Sequence, residues 1–178
     1  MYIHSYMAHS SKSIFRKPAP RASSMHSTKI YLDNCCFNRP YDDQTQEKVH
    51  LESEAVLGII KRFKQLDFEI IGSAALDLEI SKISDSYKRA KVRFFYERTI
   101  TKKAKYNQAT LERVKELQEL SAIRVLDRFH LAFAENYADM LLTTDLRFEK
   151  ACSKLGLEIR VINPIVYFME VMANDDSD

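Results

Sequence analysis

Short apolar runs alternate with longer amphipathic segments from Lys29 onward, and this alternation restricts the fold more than any other feature of the chain. KIYLD, FEIIG, MLLTT and EIRVI are strand-length runs rich in β-branched and aromatic residues. Between the first two, the stretch Gln44 to Gln65 places Val49, Ala55, Val56, Ile59, Ile60 and Phe63 at helical spacing. Ser73 is placed to cap a helix that carries Glu79 towards Ile83, Asp85 one that runs through Arg98, and Asn107 one that ends near Leu120. Further helices are expected over 124–137 and 146–155, and from Pro164 to about Met172. NCCFNRPYDD reads as a loop and residues 99–106 as a short extended link. Strands separated by helices require crossover connections and hence parallel pairing. The expected architecture is an α/β fold, a three-layer α/β/α sandwich whose central parallel sheet holds strands near 29–32, 68–71, 140–143 and 159–162.

Composition removes several functions. Gly58, Gly72 and Gly156 lie too far apart to build a Gly-rich phosphate loop of the dinucleotide or Walker type. A net charge of +2 leaves any basic surface local. The apolar runs are too short to span a membrane, so no membrane association is expected. Cys35, Cys36 and Cys152 are odd in number and lack metal-finger spacing, which favours free thiols in a reducing, cytoplasmic setting. Residues 1–28 are Ser-rich and basic, without acidic residues and with Pro18 and Pro20. They read as a disordered or mis-assigned extension, with Met25 as an alternative start, rather than a transit peptide. The folded domain is expected over 29–172, followed by an acidic tail over 173–178.

Four acidic residues sit where buried runs meet water: Asp33 after KIYL, Glu79 closing IIGSAALDLE, Asp127 inside IRVLDRFHLAF and Asp145 after MLLTT. A carboxylate beside an apolar run is costly when unpaired, because desolvation disfavours its charged form. In open parallel sheets functional groups gather beyond the carboxyl ends of the strands. Four carboxylates meeting there call for a shared cation. A hard divalent ion, Mg²⁺ or Mn²⁺, suits carboxylate oxygens and water. The bland alternative for any one of them is a helix cap or an ion pair. Asp77, two positions before Glu79, points elsewhere on a helix. His130, three residues after Asp127, reads as a packed or supporting residue. Between Lys82 and Lys105, Lys88, Arg89 and Lys91 lead a basic segment suited to phosphate contact, with Phe94 and Phe95 read as core behind it.

The blocks YLDNCCFNRPYDDQ, SAALDLEIS, LDRFHLAFAENYADMLLTTD and VINP resemble a PIN-domain protein, similar to the VapC-type toxins. The resemblance covers residues 29 to about 172. It matches Asp33, Glu79, Asp127 and Asp145 to the four acidic motifs in order. Many members continue the first motif through a small residue to Ser or Thr; here Asn34 and Cys35 follow, and a thiol is a poorer hydrogen-bond partner than a hydroxyl. The resemblance implies a Mg²⁺- or Mn²⁺-dependent endoribonuclease, with an RNA substrate and, for many members, an antitoxin partner; a homodimer would suit this class. On that footing Asp33 and Asp127 are assigned as direct metal ligands, Glu79 and Asp145 as completing the set. Asn38 or Thr144 is assigned to orient a ligand carboxylate or the scissile phosphate. The competing reading is a catalytically silent PIN-like module that binds RNA or protein. A receiver-like phosphoacceptor built on Asp33 ranks last, since no acidic pair follows the first strand.

Overall fold

A computed structural model of the protein describes residues 27–63, 68–120 and 123–175. The expectations for residues 1–26 and 176–178, and for the last residues of the first long helix, fall outside the described residues. Among the described residues five strands form one all-parallel sheet: β1 (Thr28–Leu32), β2 (Phe68–Gly72), β3 (Lys102–Lys103), β4 (Met140–Leu142) and β5 (Arg160–Ile162), in the order β3-β2-β1-β4-β5. Eight α-helices among the described residues connect and flank them: α1 (Asn34–Asn38), α2 (Glu47–Phe63), α3 (Ala74–Ser81), α4 (Ser86–Thr99), α5 (Gln108–Leu120), α6 (Val125–Tyr137), α7 (Leu146–Cys152) and α8 (Pro164–Asp175). The expected α/β sandwich around a parallel sheet is the fold observed. Among the described residues no helix is long and apolar enough to cross a membrane.

β1 is the central strand. It pairs with β2 from Thr28↔Phe68 to Tyr31↔Ile71, and with β4 from Ile30↔Met140 to Leu32↔Leu142. Ile30, Tyr31 and Leu32 are fully buried, as a strand covered on both faces must be. The connections run from β1 outward to β2 and β3, then return past β1 to β4 and β5. The chain therefore changes direction between β1 and β4, and their carboxyl ends open the crevice where such sheets place their sites.

Two segments differ from the sequence expectation. NCCFN is a helix, not a loop: the Asp33 carboxylate accepts from the Asn34 amide at its start, and Cys36 and Phe37 are buried beneath it. Phe37 stands edge-on to Tyr96, with ring centroids 5.3 Å apart, and to Phe95, at 5.9 Å. The link near residue 100 contains the fifth strand, a two-residue edge. Its exposed lysines, Lys102 and Lys103, give no apolar signal and discourage edge-to-edge pairing with another chain. Gly72, at the end of β2, has a packing reason. A Cβ there would lie 2.7 Å from the Tyr96 hydroxyl and 2.9 Å from Ile100 Cδ1. Gly156 adopts φ +60°, which turns the chain after α7.

The helices begin where capping chemistry allows. Ser73 Oγ accepts from the Leu76 amide, Asp85 from Tyr87 and Lys88, Asn107 from Thr110, and Asp145 from Arg147 and Phe148. α6 packs on β1, β4, α3 and α5, and buries His130, Leu131, Ala132, Phe133 and Ala134 in succession. Five consecutive buried residues mean that this helix is enclosed on nearly every side, which fixes the direction of each of its side chains.

Candidate functional site

The crevice beyond β1 and β4 is a cleft of about 290 Å³ lined by Asp33, Asn34, Cys35, Asn38, Arg39, Asp42, Glu79, Lys88, Arg124, Asp127 and Asp145. All four sequence-derived carboxylates face it. They are delivered by separate elements: Asp33 follows β1, Glu79 comes from α3, Asp127 from the first turn of α6, and Asp145 caps α7 just beyond β4.

Asp33 is the most firmly held. Its Oδ1 accepts from the Asn34 amide at 2.7 Å. Its Oδ2 accepts from the Thr143 hydroxyl at 2.7 Å and from the Cys35 thiol at 3.1 Å. Cys35 thus does donate to the carboxylate, beside a shorter hydroxyl bond from Thr143. Cys35 Sγ also accepts from the Thr144 amide at 3.2 Å. Thr143, rather than Thr144, is the threonine that orients a site carboxylate; the Thr144 hydroxyl is buried and makes no hydrogen bond. The two differ by one position, and successive residues leaving a strand point to opposite sides. Asn38 borders the cleft and donates to the Asn34 carbonyl at 2.9 Å and to Asn34 Oδ1 at 3.1 Å, so it steadies Asn34 rather than a carboxylate.

Two groups divide the cluster. In one, donor atoms of Asp33, Glu79 and His130 all lie within 4.8 Å of one another, the spacing of a metal-binding set. His130 Nε2 is 3.1 Å from Glu79 Oε2 and 3.9 Å from Asp33 Oδ1. In the other, Arg124 binds Asp127 through Nε at 2.9 Å and Asp145 through a terminal nitrogen at 2.6 Å. Arg124 is 69% exposed, so this clamp reaches in from solvent. An Arg three residues before an Asp on one helix is a readable pair, but its second bond to Asp145 depends on the tertiary fold.

The electrostatics follow this division. Burial pushes the Glu79 carboxyl up, but contact with His130, Asn34 and the positive Arg124 outweighs it and leaves Glu79 below its ordinary value. Burial raises Asp127; Arg124 opposes it and Asp33 adds to it, and the net direction is upward. Burial also raises Asp145, yet the Phe148 and Arg147 amides and Arg124 bring it below its ordinary value. Burial lowers His130, but Glu79, Asp33 and Asp127 around it draw it above the ordinary imidazole value. The cleft attracts positive charge, and the protein supplies it on one side through Arg124.

The basic segment is only partly at the site. Lys88 lines the cleft and pairs with Asp42 Oδ1 at 2.6 Å. Arg89 turns away to donate to the Ile83 carbonyl. Lys91 lies over the Tyr87 ring at 4.1 Å on the exposed face of α4. Phe94 is not a core residue: it is 60% exposed, with the Arg98 guanidinium 5.2 Å from its ring centre. Phe95 does pack inward. Asp77 points away from the cleft and pairs with Lys103 at 2.5 Å, tying α3 to the edge strand.

Sequence reasoning missed Thr143, Arg124, Tyr31 and Ser73 as parts of the site, and read His130 as a packed or supporting residue. Tyr31 and Ser73 lie behind His130: the Tyr31 hydroxyl is 2.8 Å from His130 Nδ1 and 2.6 Å from Ser73 Oγ. Their signal was weak, being polar groups on otherwise apolar strand ends. Whether the cleft suits a divalent ion can be judged from its donors. Carboxylate oxygens dominate, and His130 Nε2 is a buried nitrogen with no hydrogen-bond partner. Its near neighbours are the Glu79 and Asp33 carboxylates, with which it can pair only when protonated. The donor set fits a divalent cation.

No protein-family model and no curated protein sequence matches the chain. Among solved structures, a chain of VapBC2 from Rickettsia felis, bound to a DNA fragment from their promoter, matches at a TM-score of 0.52 with 13% identity. The match covers 76% of this chain and 98% of that one. A chain of FitAcB from Neisseria gonorrhoeae matches at a TM-score of 0.46 with 15% identity, over 76% of this chain and 97% of that one. The protein thus shares with the VapBC2 chain an α/β fold built on a parallel sheet.

Proposed function

We propose that the domain over residues 29–172 is a PIN-like, VapC-type endoribonuclease that depends on Mg²⁺ or Mn²⁺. The observation that carries this reading is the meeting of Asp33, Glu79, Asp127 and Asp145 in one open cleft at the switch point of the sheet. In place of the pair Asp33 and Asp127 that the resemblance implies, Asp33 and Glu79 would hold the ion, because Arg124 already engages Asp127 and Asp145, which would complete the set. When bound, the ion would acidify a coordinated water and offset charge on the phosphoryl oxygens. Thr143, Cys35 and the Asn34 amide fix Asp33 in place for that task. Arg124 and Lys88 stand at the cleft and offer guanidinium and ammonium donors to a phosphate once their carboxylate partners are engaged elsewhere. The resemblance to VapC-type toxins extends the proposal to an antitoxin partner and a homodimer; the fold shared with a chain of the DNA-bound VapBC2 structure is consistent with the partner and does not bear on the homodimer.

One observation favours the competing reading of a silent RNA- or protein-binding module. Arg124 already satisfies two of the carboxylates without a metal. Incubation of the protein with a mixed RNA pool separates the two. Cleavage should appear with Mg²⁺ or Mn²⁺, stop with EDTA and return on adding excess metal. Binding of the pool without cleavage under any metal would select the silent module.

Charge reversal in the basic segment tests how RNA is held. Lys88→Glu and Lys91→Glu should weaken RNA affinity and flatten its salt dependence, since fewer counterions are released. Single-turnover cleavage at saturating RNA should fall more for Lys88→Glu, which lies at the cleft, than for Lys91→Glu. Arg89, first grouped with them, belongs to a loop contact, so Arg89→Glu should lower stability instead. An unchanged salt slope for both lysine variants would make this segment a plain solvated helix face.

A further inference from the structure

The geometry points to His130 Nε2 as a direct ligand of the ion, making the site a mixed carboxylate–imidazole centre that selects Mn²⁺, or a later first-row ion, over Mg²⁺. This rests on the proposal that the cleft binds a divalent metal, and adds to it a ligand and a metal preference.

His130 is 1% exposed, and its Nε2 has no hydrogen-bond partner. Burying a polar nitrogen without a partner is costly, and Leu131 beside it shows that α6 accommodates apolar side chains in the same enclosed layer. The atom faces Glu79 Oε2 at 3.1 Å and Asp33 Oδ1 at 3.9 Å without an aligned hydrogen bond, and as an unprotonated acceptor beside two carboxylates it calls for a shared cation. Metal–donor bonds of roughly 2.1 Å set at right angles hold neighbouring donor atoms about 3 Å apart. The spacing therefore suits ligands around an ion as well as it suits a direct pair.

The other ring nitrogen is already engaged. Nδ1 is 2.8 Å from the Tyr31 hydroxyl, which is 2.6 Å from Ser73 Oγ, which in turn accepts from the Leu76 amide. A ligating imidazole characteristically donates its second N–H to an oxygen partner that fixes tautomer and ring plane. The Tyr31 hydroxyl can accept from Nδ1 and donate its own hydrogen bond to Ser73 Oγ, which leaves the Nε2 lone pair facing Glu79 Oε2 and Asp33 Oδ1. All three supporting groups are buried, so the arrangement is rigid. Asp127 stands three residues earlier on α6, the helical interval that brings a carboxylate and an imidazole to one face. Oxygen-only sets suit Mg²⁺, whereas an imidazole shifts preference towards transition ions.

Pulsed electron paramagnetic resonance of the full chain loaded with Mn²⁺ tests this without relying on turnover. Nitrogen modulation from a coordinated imidazole is expected, and it should change to the ¹⁵N pattern when the protein is made with ¹⁵N-histidine. The labelled wild-type protein gives this result even if a variant folds poorly. His130→Gln should abolish the modulation and lower the preference for Mn²⁺ over Mg²⁺ about tenfold or more, while His50→Asn should leave both unchanged. Mn²⁺ bound in an Asp33-dependent way without nitrogen modulation would overturn the role of His130 and leave the metal site standing. So would modulation that survives in His130→Gln. Failure to bind Mn²⁺, or binding indifferent to Asp33→Asn, would remove the metal reading itself and this inference with it.

Discussion

Asp33→Asn, Glu79→Gln, Asp127→Asn and Asp145→Asn should each weaken metal binding and cut RNA cleavage by at least roughly tenfold. Each removes one negative charge at nearly constant shape. Asp33→Asn should be the most severe, because Asp33 lies where the hydrogen bonds of Thr143, Cys35 and Asn34 converge. Metal-free stability should divide the set. Asp145 lies below its ordinary carboxyl value, since the Phe148 and Arg147 amides and Arg124 overcome the effect of burial. Its ionised form therefore stabilises the fold above the unfolded value, and this is lost as pH falls through the folded one. Asp145→Asn keeps the cap on α7, as Asn caps as well as Asp, but loses the charge that pairs with Arg124, so it should be slightly less stable at neutral pH. Asp127 lies above its ordinary value because burial outweighs Arg124. A group raised by folding favours the fold at pH below its unfolded value and disfavours it once ionised, so Asp127→Asn should keep or gain stability at neutral pH. Asp77→Asn should leave cleavage intact yet cost some stability through its lost bond to Lys103. Calorimetry with and without metal, beside cleavage rates, reads both effects. Four variants that stay active and metal-dependent would reduce these carboxylates to caps and ion pairs.

Phe37→Ala should destabilise the protein by about 3–5 kcal/mol, the usual cost of emptying a fully buried aromatic site. The ring is inaccessible to solvent and meets Tyr96 and Phe95 edge-on, an arrangement that adds to simple area burial. Phe37 also lies three residues beyond Asn34, on the helix that carries Cys35. Urea unfolding should show a lower midpoint with an unchanged slope, the mark of lost stability rather than an altered unfolded state. A cost under about 1 kcal/mol would mean that α1 is not an integral part of the core.

The same helix shows where sequence reasoning reached its limit. Asn38 and Pro40 are loop formers, and they masked a five-residue helix whose warrant is tertiary: a cap from Asp33 and burial of Cys36 and Phe37. The four longer strands were legible because burial on both faces demands continuous apolar runs, as Ile30 to Leu32 show. β3 was not, because two lysines on an exposed edge have no periodicity to detect. At the site, the carboxylates stood out by ending apolar runs, so their common cleft could be anticipated from topology. Thr143 and Thr144 could not be told apart, since the choice turns on one residue of register. Arg124 and His130 depend on which way α6 is rolled against β1, β4 and α3, and adjacent polar residues carry no such information. Phe94 misled for a related reason: an aromatic residue within FFY reads as core, yet α4 presents it to solvent beneath Arg98.

The β1–β4 seam has a consequence for how the chain matures. Asp33 and Thr143, joined by a hydrogen bond, are 110 positions apart. Synthesis delivers Asp33 and Glu79 long before Asp127 and Asp145 exist. The cluster can close only when the returning crossover seats β4 against a strand made at the start of the domain. Parallel pairing over such a separation is among the slower events of folding, because the chain must lose the entropy of a long loop before any contact compensates. A nascent chain therefore carries half a cluster, and the other half joins it only when the sheet is complete. The order in which the strands are made thus sets when the four carboxylates first meet.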